Sequence, residues 1–416
     1  MKIVAILVLL SVSVGPAADW PMWRYDAEHR ADSPEQLPDK LHLQWTLKLS
    51  PREQVWDDPL NHDLMPYDRV FEPIVLGSRL FLTFNDSDKV VAYNTADGSE
   101  SWRFYTDGPV RLPPVGYQSK IYVTSDDGYL YCLAADTGRL KWKFRGGPSP
   151  LKVLGNKRVI SAWPARGGPV IRDGNVYFAA SIWPFMGTFI YSLNADTGEV
   201  EWVNDSTGAQ YIKQPHSAPS FAGVAPQGTM VATEKLLLVP GGRSVPAAFD
   251  RATGKFVHFE INAGGKGNGG SFVIANGSEY FVHTRYRGVR SYNLANGKKG
   301  SFVCNEPVLT KDYIYTAITN KTGPNAIQIL NQKKKAVAKI AADASGDLIK
   351  AGNHLYAAGT NSLTAVNLSD RSVGWMKKID GNIQRLLAAN GQLFAVTLDG
   401  QIMAFGSGSL SDLTMV

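Results

Sequence analysis

Short runs of alternating apolar and polar residues recur along the chain, separated by glycine-containing turns. Residues Asn175–Ser181 form such a run, and Lys235–Val239 is a similar short apolar stretch. A side-chain period of two is typical of half-buried β-strands. Residues Leu130–Trp142 combine the same features into a larger unit: a strand, a tight Thr-Gly turn and a second strand that ends on tryptophan. The pattern predicts a chain built mainly from β-hairpins.

The strand–turn–strand unit occurs in six copies, which predicts a repeat architecture. The copies are Val90–Trp102, Leu130–Trp142, Ile190–Trp202, Ala247–His258, Val289–Ser301 and Leu363–Trp375. The turn needs a residue with positive φ, and glycine at positions such as Gly98 and Gly138 meets that need. The tryptophan that follows is wide and flat. We expect it to pack between neighbouring sheets, where burial of an aromatic ring stabilises the fold.

These copies follow the pattern A-x-D/N-x-x-T-G-x-x-x-W with departures, such as the eroded Ala247–His258, and the pattern resembles the tryptophan-docking repeat of the PQQ-like (quinoprotein-like) β-propellers. The resemblance covers nearly all of the chain after the first forty or so residues. It implies an all-β, eight-bladed β-propeller of four-stranded antiparallel blades around a central channel. It does not by itself imply a quinone cofactor or an enzyme, because one scaffold can serve unrelated functions.

The order of the copies predicts eight blades between residues 42 and 406, closed by pairing of an N-terminal strand with the C-terminal blade. The strand around Trp45 lacks a blade of its own, and Gln401–Gly406 is a third strand without a fourth. Joining them removes an exposed sheet edge. The sixth blade is the most divergent, because Lys333–Lys335 replaces its Thr-Gly turn. Residues 19–41 form an irregular N-terminal segment, and 407–416 a polar tail.

Residues 1–18 carry one lysine, an apolar run from Ile3 to Val14 and then Gly15-Pro16-Ala17-Ala18. This sequence is typical of a cleaved secretory signal peptide and is too short to span a membrane comfortably. A periplasmic or secreted location is therefore expected, with no transmembrane span and no lipid-accepting cysteine near the cleavage region. The net charge of +6 in 416 residues is modest and lacks a dense basic stripe. Nucleic-acid binding is not expected.

Two steps between turn glycines, Gly138 to Gly198 and Gly198 to Gly254, exceed the repeat by about 15 to 20 residues. The surplus falls at residues 145–168 and 204–227, and both stretches join the last strand of one blade to the first strand of the next. In an antiparallel blade these connections open on the same side as the loops between strands two and three. We call this side the loop face, and the side of the Thr-Gly turns the turn face. Loops on a rigid scaffold often carry binding residues.

The loops of blades three to five bring together basic and aromatic residues with few carboxylates. The candidate ligand-binding residues are Trp163, Arg166, Trp183, His216, Gln227, Arg243 and Arg285. Arginine can form paired hydrogen bonds with carboxylate or phosphate, and tryptophan offers a stacking surface. The set predicts a small anionic ligand or an unidentified protein partner. The alternative is that these side chains only pack and solvate long loops, and for His216 a structural hydrogen-bonding role is the ordinary interpretation.

The residues favour a non-catalytic binding or scaffold protein over an enzyme. By resemblance PQQ is a possible cofactor, but the alcohol-oxidising members of the family need a general-base Asp, a calcium site of Glu and Asn, and often a Cys-Cys pair. No Cys-Cys pair occurs, and no carboxylate accompanies the basic loop residues. Asp126-Asp127 is expected to be an ordinary hairpin-turn pair. No catalytic residue and no metal ligand is assigned. The alternative is a PQQ-dependent dehydrogenase that oxidises alcohols or sugars.

Overall fold

A computed structural model describes residues 18–55, 68–214, 217–242, 244–264, 268–284, 288–320, 323–408 and 414–415. It shows an all-β, eight-bladed propeller of four-stranded antiparallel sheets, which confirms the predicted fold class. Two short 3-10 helices, Pro184–Met186 and Ile261–Gly264, are the helical elements of the described residues, and neither is long or apolar enough to cross a membrane.

Each blade runs from an innermost first strand at the channel to an outermost fourth strand. The strands of blades one to four are Ile74–Leu76, Arg79–Phe84, Lys89–Asn94 and Glu100–Tyr105; Val115–Tyr117, Lys120–Thr124, Tyr129–Ala134 and Leu140–Arg145; Gly167–Arg172, Asn175–Ala180, Phe189–Asn194 and Val200–Asn204; Val231–Ala232, Leu236–Val239, Ala247–Asp250 and Phe256–His258. Those of blades five to seven are Asn268–Ala275, Glu279–Thr284, Val289–Asn293 and Lys299–Cys304; Val308–Leu309, Tyr313–Ile318, Ala326–Asn331 and Ala336–Ile340; Asp347–Ala351, His354–Gly359, Ser362–Asn367 and Val373–Lys378.

Blade eight combines strands from both ends of the described chain. Its first three strands are Ile383–Ala389, Gln392–Thr397 and Gln401–Gly406, and its fourth is His42–Lys48, which runs antiparallel to Gln401–Gly406. Leu43 lies opposite Phe405 and Trp45 opposite Ala404. A short strand, Thr414–Met415, lies outside it in parallel. The ring of sheets is thus completed by hydrogen bonds between residues far apart in sequence.

Tryptophans of the repeat join blade eight to blade one and join blades one, two and three each to the next blade. The Nε1–H of Trp102 donates to the carbonyl of Ala135 at 3.0 Å, and a Cβ placed on Gly138 would lie 2.5 Å from its ring. Trp45 meets Gly98, Trp142 meets Gly198 and Trp202 meets Gly254 in the same way. Glycine is therefore needed for close approach as well as for its positive φ. In blade four the position is His258, whose Nε2 donates to the carbonyl of Leu294 at 2.9 Å.

Residues 18–37, here called the N-terminal segment, follow the inside of the ring and contact the innermost strand of every blade. Backbone carbonyls of Ala18, Trp20, Pro21, Ala27, Glu28, Arg30 and Ala31 accept hydrogen bonds from Asn390, Val75, Gly116, Ala232, Ala275, Leu309 and Lys350. Blade three contributes an ion pair between Arg172 and Glu28 at 3.3 Å. The contacted residues lie at or near the ends of the first strands, so the segment crosses the channel toward the turn face.

The backbone of the N-terminal segment takes conformations that are uncommon outside glycine. Arg24, Tyr25, His29 and Ala31 have φ angles of 51°, 81°, 61° and 58°. Such angles are unfavourable for residues with a Cβ and persist where surrounding contacts fix them. Asp32–Ser33 then pairs in parallel with Asp347–Ala351 of blade seven. The channel contacts therefore hold a strained chain in one defined path.

Both surplus stretches fold into protruding β-hairpins on the loop face. The first pairs Lys152–Gly155 with Arg158–Ser161, and the second pairs Gln210–Lys213 with Pro219–Ala222. Each hairpin is a separate two-stranded sheet outside the blades.

Candidate functional site

A cavity of about 540 Å³ opens on the loop face at the mouth of the central channel, over blades five to eight. Its walls are the starts of first strands and the loops beside them. The described lining residues are Arg69, Val70, His283, Gly288, Asn305, Glu306, Ala317, Ala344, Ser345, Gly346, Asp347, Leu348, Thr360, Asn361, Gly381, Asn382, Gln384 and Arg385. This volume suits a small ligand.

Arg24 of the N-terminal segment binds the acids of the cavity wall from behind. Its Nη1 lies 3.5 Å from Oδ1 of Asp347 and 3.6 Å from Oε2 of Glu306, and its Nη2 donates to the carbonyl of Pro307 at 2.5 Å. The Asp347 carboxylate also accepts the backbone N–H groups of Leu348 and Leu386, each at 2.8 Å. Asp347 is therefore held on several sides and cannot turn freely toward a ligand.

Glu306 is the most strongly stabilised carboxylate of the wall. His283 Nε2–H donates to its Oε1 at 2.7 Å. Burial works in the opposite direction, but the hydrogen bond and charge of His283, with Arg385 and Arg24, hold the pKa of Glu306 well below its usual range. Glu306 is therefore ionised at neutral pH and is a poor proton acceptor.

A second ion pair, between Arg385 and Glu72, closes the wall on the side of blades eight and one. Arg385 Nε lies 2.8 Å from both carboxylate oxygens of Glu72, and Trp23 Nε1–H donates to Oε2 at 3.0 Å. The Arg385 guanidinium lies over the rings of Trp23 and Phe272, which stack at 4.2 Å. Burial raises the pKa of Glu72 to about 7 despite this pairing. Glu72 itself is not among the lining residues.

The lining groups that remain available are one arginine and several amides. Arg69 is half-buried and makes no hydrogen bond or ion pair within the described residues. Asn361 and Asn382 are exposed at the rim, and Gln384 donates to Asn382 Oδ1 at 2.7 Å. One uncommitted guanidinium beside neutral amides fits a polar ligand that carries a single carboxylate.

Sequence relatives point to one repeat family. The family model described as outer membrane protein assembly factor BamB matches residues 43–202. The chain is 26% identical over 251 residues to the outer membrane protein assembly factor BamB of Burkholderia pseudomallei (strain K96243), covering 51% of this chain and 62% of that protein. It is 24% identical over 216 residues to the tetrathionate hydrolase of Acidithiobacillus ferrooxidans, covering 50% and 39%. These matches span less than two thirds of either curated relative.

Solved structures share the fold over most of the chain. The quinohemoprotein alcohol dehydrogenase from Comamonas testosteroni superposes with a TM-score of 0.60 and 13% identity, covering 95% of this chain and 82% of that one. BamB from Moraxella catarrhalis superposes with a TM-score of 0.53 and 14% identity, covering 88% and 100%. The partial match and the shared fold support a PQQ-like β-propeller family. At these identities the structural likeness establishes the fold and not an activity.

Four of the predicted site residues of this PQQ-like propeller are described, and they lie together around blades three and four. Trp163 is buried and its Nε1–H donates to the carbonyl of Met186 at 2.8 Å. Trp183 precedes the 3-10 helix Pro184–Met186. The Gln227 side-chain oxygen is buried without a hydrogen bond to a described residue. His216, Arg243 and Arg285 lie outside the described residues, and their ligand roles stay predictions.

Arg166 is buried in an ion-pair cluster that the sequence did not predict. Its Nε and Nη2 each lie 2.7 Å from an oxygen of Asp126, and Nη2 also donates to Asn156 Oδ1 at 2.9 Å. Arg111 binds the same Asp126 at 2.7 Å and Asp68 at 2.9 Å. We call Arg166, Asp126, Arg111 and Asp68 the sealed cluster, because each side chain is at most 5% exposed.

The expectation that no carboxylate accompanies the basic loop residues was therefore wrong. Asp126 belongs to the neighbouring blade, so a search within the loops alone misses it. Burial would raise the pKa of Asp126, but the charges of Arg166 and Arg111 more than offset burial, and the net pKa is lowered. Asp126 is thus a structural anion and not an ordinary turn residue. Arg158 is likewise paired with Asp88.

Sequence reasoning also missed the acids of the cavity region, although a signal for them exists. Glu72, Glu306 and Asp347 each stand three residues before the residue that donates to the N-terminal segment: Val75, Leu309 and Lys350. An alignment of first strands, instead of Thr-Gly turns, would have shown an acid at one position of blades one, six and seven. Arg24 carries no such signal, because its partners lie several hundred residues away.

The described cavity residues do not fit PQQ, a planar tricarboxylate. Binding three carboxylates requires several cationic side chains that are not already paired with acids. Among the described lining residues, Arg385 is engaged by Glu72, Arg69 is the unpaired arginine, and Glu306 and Asp347 add negative charge. A tricarboxylate would meet nearly balanced charge there. We therefore derive no chemistry from a bound quinone.

Proposed function

We propose that the protein is an exported, non-catalytic binding propeller that holds a small carboxylate-bearing ligand in the cavity over blades five to eight. The observation that carries the proposal is that most charged residues lining the cavity are already paired with other side chains. Glu306, Asp347 and Arg385 are bound by His283, Arg24 and Glu72, whereas Arg69 lines the cavity without a partner among the described residues. Such a site can anchor an anion through Arg69.

Two acids argue against catalysis by their placement. A general base must reach the proton that it removes and must have a suitable pKa. Glu306 lines the cavity, but its pKa is lowered. Glu72 has a pKa of about 7 but lies behind the wall, hydrogen-bonded to Arg385 and Trp23. Asp347 lines the cavity and burial raises its pKa, but its carboxylate is held by Arg24 and by the backbone N–H groups of Leu348 and Leu386.

The scaffold part of the proposal draws on the assembly-factor name of the matched family and of one curated relative. That name is a property of those proteins and suggests that this propeller also serves as a binding platform. Export to the periplasm or medium is part of the proposal and rests on the apolar leader of residues 1–18. The domain limits of 42–406 for the propeller are proposed with it.

The second candidate function is a PQQ-dependent dehydrogenase for alcohols or sugars. Its support is the fold likeness to a quinohemoprotein alcohol dehydrogenase. The near-balanced charge of the cavity weighs against it. The two candidates differ in a measurable way, since only the second requires PQQ binding and electron transfer to a dye.

Calorimetric titration would test the binding function. The protein is titrated with small mono- and dicarboxylates and with the matching neutral amides, and Arg69→Ala is compared with Arg139→Ala, an exposed arginine of a turn-face loop. We expect carboxylates to bind, amides to bind much more weakly, and only Arg69→Ala to reduce binding, by tenfold or more.

Three results would overturn the proposal. The first is equal binding of carboxylates and amides, and the second is carboxylate binding that Arg69→Ala leaves unchanged. The third is reduction of a dye with an alcohol or sugar after loading with PQQ and calcium, which would establish the dehydrogenase instead.

A further inference from the structure

Large apolar side chains are exposed at three protrusions of the loop face around blade three. Leu154 of the first hairpin is 81% exposed, Phe185 of the 3-10 helix 82% and Phe221 of the second hairpin 78%. Val159 and Tyr211 of the hairpins are exposed beside them. Exposure of several large apolar groups in one region is typical of an interaction surface. We call these five residues the apolar tips.

The protrusions form one continuous surface. A Cβ on Gly155 would lie 3.8 Å from the ring of Trp183, which connects the first hairpin to the 3-10 helix. A Cβ on Gly208 would lie 2.7 Å from the carbonyl of Pro184, which connects that helix to the base of the second hairpin. Trp163 and Thr188 add hydrogen bonds to Met186 and Val224. These contacts therefore hold the two hairpins and the 3-10 helix together as one support for the apolar tips.

The segments that carry the apolar tips contain no acidic residue, and the acids Asp88 and Asp205 lie at their edges. No Asp or Glu occurs in residues 137–172, 174–195 or 206–233. Lys152, Lys157 and Lys213 are exposed on the hairpins and form no ion pair with a described residue. Arg158 is neutralised by Asp88, so the lysines supply the positive charge of this surface.

We propose that the apolar tips and these lysines bind the surface of an anionic lipid membrane. Apolar side chains inserted at the headgroup level, with lysines beside them, are the combination that gives peripheral proteins affinity for anionic bilayers. The shape agrees with this partner. The tips are highly exposed on two hairpins and a 3-10 helix, and a fluid bilayer accepts separate projections that a rigid protein would have to match one by one. The cavity, over blades five to eight, is a separate site.

Vesicle co-sedimentation of the full chain tests this surface. We expect binding to vesicles that contain phosphatidylglycerol, weak binding to pure phosphatidylcholine, and loss of binding as salt is raised. The variant Leu154→Ser/Phe185→Ser/Phe221→Ser should reduce partition at least tenfold. Lys152→Glu/Lys157→Glu should reduce it for anionic vesicles.

The matched control is Tyr105→Ser/Met376→Ser, which removes two exposed apolar side chains from outer strands of blades one and seven. It should leave partition unchanged. Melting temperatures of all variants should remain close to wild type, because the changed side chains are exposed. Carboxylate titration of the triple serine variant should also be unaffected, which separates this surface from the cavity.

Several results would refute membrane binding. These are absence of binding to anionic vesicles, equal binding to neutral ones, or unchanged binding by the triple serine variant. A wild-type dimer in sedimentation velocity that the triple variant abolishes would assign the surface to a second copy of the chain instead.

Discussion

The two halves of the ring both bury arginine–carboxylate networks, but only one network borders open space. The sealed cluster joins blades one to three and is almost inaccessible to solvent. The network of Arg24, Glu306, Asp347, Arg385 and Glu72 includes wall residues of the 540 Å³ cavity. Buried ion pairs are costly to assemble and costlier to break. Buried ion pairs therefore hold loops in place in one half of the ring and form part of a cavity wall in the other half.

The N-terminal segment accounts for much of this difference. The four residues of the sealed cluster lie on the propeller between residues 68 and 166, whereas the cavity network takes Arg24 from the segment inside the channel. That segment also buries His29, whose Nδ1–H donates to the carbonyl of Val273 at 2.6 Å. A buried histidine thus lies behind the cavity, and the sealed cluster contains only Arg and Asp.

The largest effect is expected from Asp126→Asn. The change leaves Arg166 and one side of Arg111 without their anion, and breaking a buried pair in this way costs about 3–5 kcal/mol. Denaturant unfolding at pH 7 measures the loss. Asp136→Asn, at an exposed Thr-Gly turn, is the control and should change stability by less than about 0.5 kcal/mol. Equal effects of both variants would show that the sealed cluster contributes little.

The next effect is the loss of stability in acid on the cavity side. Burial lowers the pKa of His29 from its ordinary 6.5 to about 4. The neutral ring therefore contributes stability that is complete above pH 6.5 and is lost as pH falls toward 4, by about 3 kcal/mol. His29→Gln should be less stable at pH 7 but lose less between pH 6.5 and 5.

Hydrogen exchange would locate this acid effect. The amides of Ala275 and Leu309, which donate to the N-terminal segment, should lose protection at pH 5 before the amide of Ser161, which donates to Asp126. Simultaneous loss at all three, or an identical pH slope in His29→Gln, would contradict the assignment to His29.

The smallest effect is expected from Arg69→Ala, which should change stability by less than about 0.5 kcal/mol because Arg69 has no described partner. Its counterpart in the sealed cluster, Arg111→Ala, should cost about 3–5 kcal/mol, since it strips a cation from two buried acids. Thermal and denaturant unfolding of the pair measure the contrast. A large loss for Arg69→Ala would mean that Arg69 is structural and would remove it from the proposed ligand site.

The fold could be predicted because its information is local and repeated. Three copies, Val90–Trp102, Leu130–Trp142 and Ile190–Trp202, carry both a turn glycine and the tryptophan that packs on the turn glycine of the next blade, and the other copies keep part of this pattern. Blade six keeps this contact between neighbouring blades with other residues. Lys334 takes a φ of 62° at the position of the turn glycine, and its Nζ lies 5.0 Å from the ring of Phe302 in blade five.

The site could not be predicted in the same way, because it depends on pairs that the repeat does not encode. Arg385 and Glu72 belong to opposite ends of the chain and meet only in the closed ring. Arg166 illustrates the opposite problem. Its residue type suggested anion binding, which was correct chemistry, but its anion is Asp126 of the neighbouring blade. Residue type indicated what a side chain could bind, and only the assembled blades showed whether a partner was already supplied.

The path of the N-terminal segment has a consequence for the order of events during biosynthesis. The segment is translated before any blade, yet the carbonyl of Ala18 pairs with Asn390, and Leu43 lies opposite Phe405. Contacts of such long sequence separation form late. The strand His42–Lys48 therefore lacks its blade-eight partner until Gln401–Gly406 has been synthesised, and closure of the ring is a terminal step of maturation.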